Sequence, residues 1–295
     1  MLDLSKIKTY SLKSRPSKVS LSDVKPLASI QDPIVSEDFK ELIARIKAAK
    51  QASRPVIWMM GGHVVKVGLS RFIIDLLEKG FITHVATNGA FSIHDFEMAF
   101  MGATSEDVLS QLKDGSFGMA EETGRFINEA INRDAEQGYG YSVGKMMDEK
   151  NLEYKELSIA WNCYRLKIPY TAHISIGADI IHQHPACKGD RLGLATYTDF
   201  LRFTETVCSL DQGVCLNVGC AVMMPEVFLK ALSISRNLGH QTYNLTTANF
   251  DMLAHYRPRM NVVERPTAHG GKGFNFIEKH ERSIPSLWMG LMQHV

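Results

Sequence analysis

Several things are scarce in this 295-residue chain, and each scarcity excludes something. No apolar run approaches the ~20 residues that a membrane span needs, and the N-terminus lacks the apolar core of a signal segment. Charge of one sign is not in excess: 33 basic residues face 32 acidic ones, a net charge of +1. Nucleic acid and membrane surfaces are therefore not expected partners. The basic residues Lys6, Lys8, Lys13, Arg15 and Lys18 read as a solvated arm. Only five cysteines occur, without paired metal-type spacing, which suits a reduced, cytoplasmic protein. There is no internal repeat and no low-complexity segment. The dinucleotide fingerprint G-x-G-x-x-G is missing, and no serine or cysteine sits in a context that marks a nucleophile.

What is present is a soluble composition, 45% hydrophobic and 22% charged, long enough to bury a core without staples. Residues 1–35, punctuated by Pro16, Pro26 and Pro33, read as an extended N-terminal arm with a neighbouring subunit as one place to pack. Residues 36–295 read as a single domain. A helix is expected from Ser36 to about Ala52. Val56–Met60 is an apolar run too short for a helix and reads as a buried strand. Gly61-Gly62-His63 follows as a turn. Leu69, Phe72, Ile73, Leu76 and Leu77 then repeat at helical spacing, and Gly80 suits a left-handed helix end. A second strand over Ile82–Thr87 ends in Asn88-Gly89.

Further strands are expected at Tyr170–Ser175, Val214–Val218 and Gln241–Leu245. Helices are expected at Ala120–Gln137, Tyr154–Leu166, Thr198–Leu210 and from Pro225 to about Arg236. Strands alternating with helices predict an α/β fold, Rossmann-like, with a mostly parallel sheet and helices on both faces.

Polar residues gather after the expected strands. His63, Lys66, Asn88, His94, Asp95 and Glu97 are expected to converge at the carboxyl edge, where open α/β sheets bind ligands. Other clusters are Gly177-Ala-Asp179 with His182 and His184, Thr246-Thr247 with Asp251, and His269-Gly-Gly-Lys272. Each alone is ordinary turn or cap chemistry; together they point to a ligand or catalytic site. His63 and His280 suit proton transfer near neutral pH. Lys272 suits an anion contact or an imine. His182-Gln-His184 raises a metal, although residues two apart diverge on a strand, so a metal there needs an irregular loop and ligands such as His94 or Asp95.

The order of these motifs resembles the deoxyhypusine synthase family, over roughly residues 55 to 290. Val65 to Gly80 with Val85-Ala-Thr-Asn-Gly89 resembles that family's helix and its Thr-Ala-Gly-Gly-type NAD loop. Ile168-Pro169 and Gly177-Ala-Asp179 resemble its Ile-Pro segment and following Asp-bearing loop. Asn244 with Thr246-Thr-Ala-Asn-Phe-Asp251 resembles its Asn-Thr-Ala-Gln-Glu-Phe-Asp segment, which touches NAD. The resemblance implies a Rossmann-like NAD fold, a homotetramer of tight dimers, and active sites at the dimer interface. It also implies oxidation of spermidine with NAD, capture of an aminobutyl group on a lysine as an imine, and transfer to a protein lysine.

The chain departs where that lysine belongs: Gly219-Cys-Ala-Val-Met-Met224-Pro-Glu226 puts Met224 there, and a thioether forms no imine. The expectation is thus a deoxyhypusine-synthase-like transferase or dehydrogenase acting on a small amine or related metabolite. NAD is expected across Gly61, Gly62, Asn88, Gly89, Asp179, Thr246, Thr247 and Asp251. His63, His94, Asp95 or His280 would handle protons, and Lys272 would replace the missing lysine. The alternatives are a metal-assisted enzyme using His182 and His184, and a non-catalytic ligand-binding protein.

Overall fold

Six short segments, apolar at the centre and more polar toward the margins, associate into one parallel sheet in a computed structural model that describes residues 3–28 and 32–293. Of the expected 1–35 arm, residues 1, 2 and 29–31 lie outside the described residues. The strands are β1 (Val56–Met60), β2 (His84–Asn88), β3 (Tyr170–His173), β4 (Val214–Val218), β5 (Thr246–Asp251) and β6 (Lys272–Ile277). Their spatial order is β3-β2-β1-β4-β5-β6, every neighbouring pair parallel. The chain builds outward from β1 in one direction, returns to the centre at β4, and builds outward the other way. That reversal between β1 and β4 is the switch point of a doubly wound fold.

The labelled helices are α1 (Glu37–Gln51), α2 (Ser70–Glu78), α3 (Gly89–Met101), α4 (Glu121–Asp134), α5 (Tyr139–Glu149), α6 (Ile159–Leu166), α7 (Gly189–Cys208), α8 (Met223–Asn237) and α9 (His280–Met292). Both faces of the sheet are covered. Val56, Trp58 and Met60 join Leu42, Ile46, Phe72 and Leu76 in the larger core. Ile57, Met59 and Cys215 point the other way, to Phe203 and Val207 of α7 and Phe228 of α8. Burial on both faces is why β1 and β4 lack polar alternation.

Three departures from the sequence reading have physical causes. The expected strand at Gln241–Leu245 is instead β5, Thr246–Asp251, with all six residues buried. Its polar residues are tolerated because Asn217, Asn249 and Asn275, in register on β4, β5 and β6, hydrogen-bond in a row at 2.8 and 2.9 Å. β6 hid behind Gly271-Lys272-Gly273, and α5 behind Gly138, Gly140 and Gly144. Gly140 is needed there because a Cβ would lie 1.9 Å from the Tyr170 carbonyl oxygen.

The arm folds back on its own chain. Val19–Ser20 pairs antiparallel with Ala103–Thr104, and Arg15 is buried against Glu97 and Glu106. At one edge of the six-stranded sheet, α7 covers β3. The Asp199 carboxylate accepts from the Ala172 and Gly140 N–H groups, both at 2.8 Å. The Thr196 hydroxyl donates to the Ala172 carbonyl and accepts from the Ile174 N–H.

Buried titratable groups set an acid limit on stability. Burial pushes His84 and His173 down to about 3. The unfolded chain takes up protons at both sites below pH 6.5 while the native ring stays neutral, so stability present above pH 6.5 is lost between 6.5 and 3. Asp95, pushed up by burial to about 6, and Asp199, to about 7, act in the opposite sense. Their contribution is full below pH 3.8 and is lost as pH rises through 6 to 7. His173→Gln should therefore flatten the fall of Tm between pH 6.5 and 4 in scanning calorimetry; an unchanged slope would show that His173 does not stay neutral.

Candidate functional site

The site begins with two glycine turns. β1 runs into Gly61-Gly62 and β4 into Gly219-Cys220, and the two turns touch through their backbones. Gly61 N–H donates to the Val218 carbonyl at 3.3 Å, and Gly219 N–H to the Phe250 carbonyl at 2.9 Å. A Cβ on Gly61 would lie 2.5 Å from the Gly219 carbonyl oxygen. Gly219 has φ +66°, and a Cβ there would lie 2.4 Å from His280 Nε2. Glycine at both positions lets α9 bring His280 onto the switch point.

His280 is 1% exposed, and its ring centroid lies 5.5 Å from that of His63. Burial lowers its affinity for a proton, His63 lowers it further, and Asp251 and Glu281 oppose. Its Nδ1 is buried without a hydrogen-bond partner among the described residues. Asp251 ends β5 on the same edge, 3.9 Å from His255 Nε2. Asn88 ends β2, caps α3 by accepting from Phe91 N–H at 3.1 Å, and reaches to 4.0 Å from Cys220 Sγ. Cys220 is a buried thiol raised by desolvation, and Met224 N–H donates to its sulfur at 3.4 Å.

A cavity of about 260 Å³ opens beside these turns, lined by Lys66, His94, Glu106, Asp179, Ala90 and Ile180 among others. Asp179 lies against the start of α3, where a Cβ on Gly89 would meet its Oδ2 at 2.0 Å. Burial pushes its carboxyl up to about 6. His182 Nδ1 accepts from both Gly177 and Asp179 N–H, so Nε2 carries the proton of the neutral ring, 3.9 Å from the Asp179 carboxylate. A larger cavity, about 610 Å³, opens at the opposite end of β3 among Tyr141, Tyr164, Lys167 and Arg202, away from every candidate residue.

The fold thus brings together Gly61, Gly62, His63, Asn88, Gly89, Asp251 and His280, with His94 and Asp179 in the adjoining cavity. Other candidates lie elsewhere. Asp95 accepts from Ser158 Oγ at 2.5 Å and from Ile159 and Ala160 N–H at 2.8 and 3.1 Å, and so caps α6. Thr246, Thr247 and Lys272 stand at the starts of β5 and β6, the amino edge of the sheet. At ~3.3 Å per residue that is roughly 16 Å from Asp251. Lys272 Nζ instead faces Glu41 at 3.8 Å. His184 Nε2 lies 3.2 Å from Glu121 Oε2, while His182 is committed to its own loop. Among the described residues no group of three or more His, Cys, Asp or Glu is placed to hold a metal. Met224 is fully buried in the core beneath β4.

Sequence reasoning did not pair Gly219-Cys220 with Gly61-Gly62, and it missed Glu106 and Thr104. The strand-then-glycine pattern after Val218 was the available signal for the first. The others act through contacts distant in sequence. From its position, Lys272→Met should leave any NAD-induced rise in Tm unchanged; loss of that rise would put Lys272 back at the site.

No family model and no curated protein sequence matches the chain. Solved structures do match in fold. Apo ArgZ, an arginine dihydrolase from the ornithine–ammonia cycle in Cyanobacteria, aligns at TM-score 0.54 and 15% identity over 90% of this chain and 34% of its own. A conserved LOR/SDH-type protein from Methanococcus maripaludis S2 aligns at TM-score 0.54 and 16% identity, over 94% and 73%. The ternary complex of AgrE with ornithine and NAD+ aligns at TM-score 0.52 and 14% identity, over 88% and 33%. The chain spans about a third of the length of ArgZ and AgrE. A candidate deoxyhypusine synthase from Entamoeba histolytica reaches only TM-score 0.48 at 10% identity. At these identities the likeness is one of fold. No helix among the described residues is long and apolar enough to cross a membrane.

Proposed function

We propose that this chain is a cytoplasmic, NAD-dependent enzyme of deoxyhypusine-synthase-like type that dehydrogenates, or transfers a group from, a small amine or related metabolite. The observation that carries this reading is the switch point, where Gly61-Gly62 and Gly219 meet in a sheet of order β3-β2-β1-β4-β5-β6. Support for the ligands comes from AgrE, a structure of similar fold that binds ornithine and NAD+. Five free cysteines suit a reducing compartment.

The residues present fit a dinucleotide. Two glycine turns pack closely enough to bring the ends of β1 and β4 together, Asp251 ends the next strand, and the buried, unpartnered His280 Nδ1 lies at the same edge. Bound NAD would supply a hydride acceptor. Gly61, Gly62, Asn88, Gly89 and Asp251 would hold it, and His63, the more exposed of the histidine pair, would exchange protons with solvent. Asp179, at the border of crevice and cavity, would face the amine. Deoxyhypusine synthesis itself is not proposed, because Met224 is a buried thioether and Lys272 stands at the far edge. A homotetramer is proposed for the assembly.

Thermal shift with NAD and NADH, and NADH formation with L-ornithine, spermidine and related amines, tests the reading. A ligand at one hundred times its Kd adds about 2.7 kcal/mol to stability. A Tm unmoved by millimolar NAD would remove the cofactor, and with it the reading.

A further inference from the structure

The cavity beside the switch point has a wall whose hydrogen-bonding sense is fixed by residues outside it. The chain of contacts begins in the N-terminal arm. Arg15 donates to both oxygens of Glu97, at 2.8 and 2.7 Å, in a pair that is 1% exposed on each side. Glu97 also accepts from Thr123 Oγ1 at 3.0 Å and from Thr104 Oγ1 at 2.6 Å. Thr104 has one hydroxyl proton, and a carboxylate only accepts, so that proton is committed to Glu97. The 2.8 Å contact between Thr104 Oγ1 and His94 Nδ1 then has one solution: Nδ1 carries the hydrogen and donates it.

A neutral His94 in that tautomer has a bare Nε2. Burial pushes the ring down to about 4, with Glu97 opposing and Lys66 and Arg15 assisting, so the ring is neutral at pH 7. Nε2 makes no hydrogen bond among the described residues. Its neighbour Cδ2 is 2.7 Å from where a Cβ on Gly62 would be, and the ring lines the cavity together with Asp179, Glu106 and Lys66. His94 Nε2 and the Asp179 carboxylate are the acceptors there, because Glu106 is taken up by Tyr10 Oη, Gly118 N–H and the Arg15 guanidinium. The arm also braces Thr104 directly, because Val19 pairs with it across the short sheet.

We propose that His94 is a specificity-determining residue, held by the positioning residues Arg15, Glu97 and Thr104 in the tautomer that offers the cavity a bare Nε2. A ligand entering there must bring an N–H or O–H donor, as an ammonium or guanidinium group does. A ligand offering only acceptors leaves Nε2 unpaired and is rejected. This rests on the amine reading above for the identity of the ligand, while the proton on Nδ1 stands on hydrogen-bond geometry and the bare Nε2 on that geometry together with burial of the ring.

The test starts without any ligand. The full chain is labelled with ¹⁵N-histidine, and long-range ¹H–¹⁵N correlation at neutral pH reads which ring nitrogen of His94 is protonated. The expected result is a protonated Nδ1 and a bare Nε2 in the unmodified protein and in Thr104→Ser. Thr104→Val, which removes the acceptor, should move the proton toward Nε2. A proton on Nε2 in the unmodified protein, or no change in Thr104→Val, overturns the proposal. In the NADH assay, with whichever amine of the panel is turned over, Thr104→Val should raise KM about tenfold, the value of one hydrogen bond, with kcat nearly unchanged and Thr104→Ser restoring it. A fall in kcat at constant KM would overturn the specificity role. If no amine is turned over, the proposed function fails, while the tautomer read by spectroscopy is unaffected.

Discussion

Arg15→Ala should lower the free energy of unfolding by about 3–5 kcal/mol, the usual cost of leaving one half of a buried ion pair without its partner. Two carboxylates depend on this guanidinium. Glu97 takes both of its terminal nitrogens, and Glu106 lies 3.4 Å from Nη1, with side chains 1 to 5% exposed. Without the cation, two buried carboxylates face each other. Urea denaturation measures the loss, and Glu97→Gln in the same chain should recover part of it by removing one of the stranded charges. A loss below about 1 kcal/mol would be the value of an exposed pair and would mean that the arm does not dock as described. Because the arm also holds Thr104, a large loss ties the stability of the domain to a segment that reads in sequence as a solvated tail.

Gly219→Ala should be the most damaging substitution at the switch point, and Gly80→Ala is its natural control. Both glycines are left-handed, at φ +66° and +68°, so both variants carry a backbone cost of about 1–2 kcal/mol. They differ in space. A Cβ on Gly80 meets nothing within 4 Å, whereas one on Gly219 meets His280 Nε2 at 2.4 Å. Overpacking should add about 1–3 kcal/mol at Gly219 alone. It should also displace His280 and abolish the NAD-induced rise in Tm. Adding His280→Ala should return most of the stability difference without returning the NAD response. Equal losses at Gly80 and Gly219 would show that His280 yields freely and that the contact does not shape the site.

The fold was legible where burial and periodicity agree. β1 is uniformly apolar and bounded by Pro55 and Gly61, and α1 is capped by Ser36, whose hydroxyl accepts from Phe39 N–H, as its sequence suggests. Legibility failed where polar residues are buried in pairs. Thr246–Asp251 looks like a polar loop, and only the asparagine row across three strands makes it a strand. That one boundary error carried the site with it, since it moved Thr246 and Thr247 from the amino edge to the carboxyl edge. Asp95 was misjudged for a related reason, and Glu97, which does line the cavity with Lys66 and His94, is committed to the arm. A buried carboxylate has the same letter whether it meets substrate, caps a helix as Asp95 does, or anchors an arm as Glu97 does. His63, Gly61, Asn88 and His280 were reachable because they follow strands or open helices directly. The pairing of Gly61 with Gly219 and the path from Arg15 to His94 needed coordinates, because each joins segments far apart in the chain.

The two margins of the sheet differ in what they offer to another polypeptide. At β3, the outward amides of Ala172 and Ile174 and the Ala172 carbonyl are consumed by Asp199 and Thr196 of α7, so an incoming strand would find neither donors nor acceptors. At β6, Lys272, Asn275 and Ile277 are exposed. Edge-to-edge polymerisation of partly unfolded chains would therefore be polar in direction, nucleating on β6, with Lys272 the only charged gatekeeper within that strand.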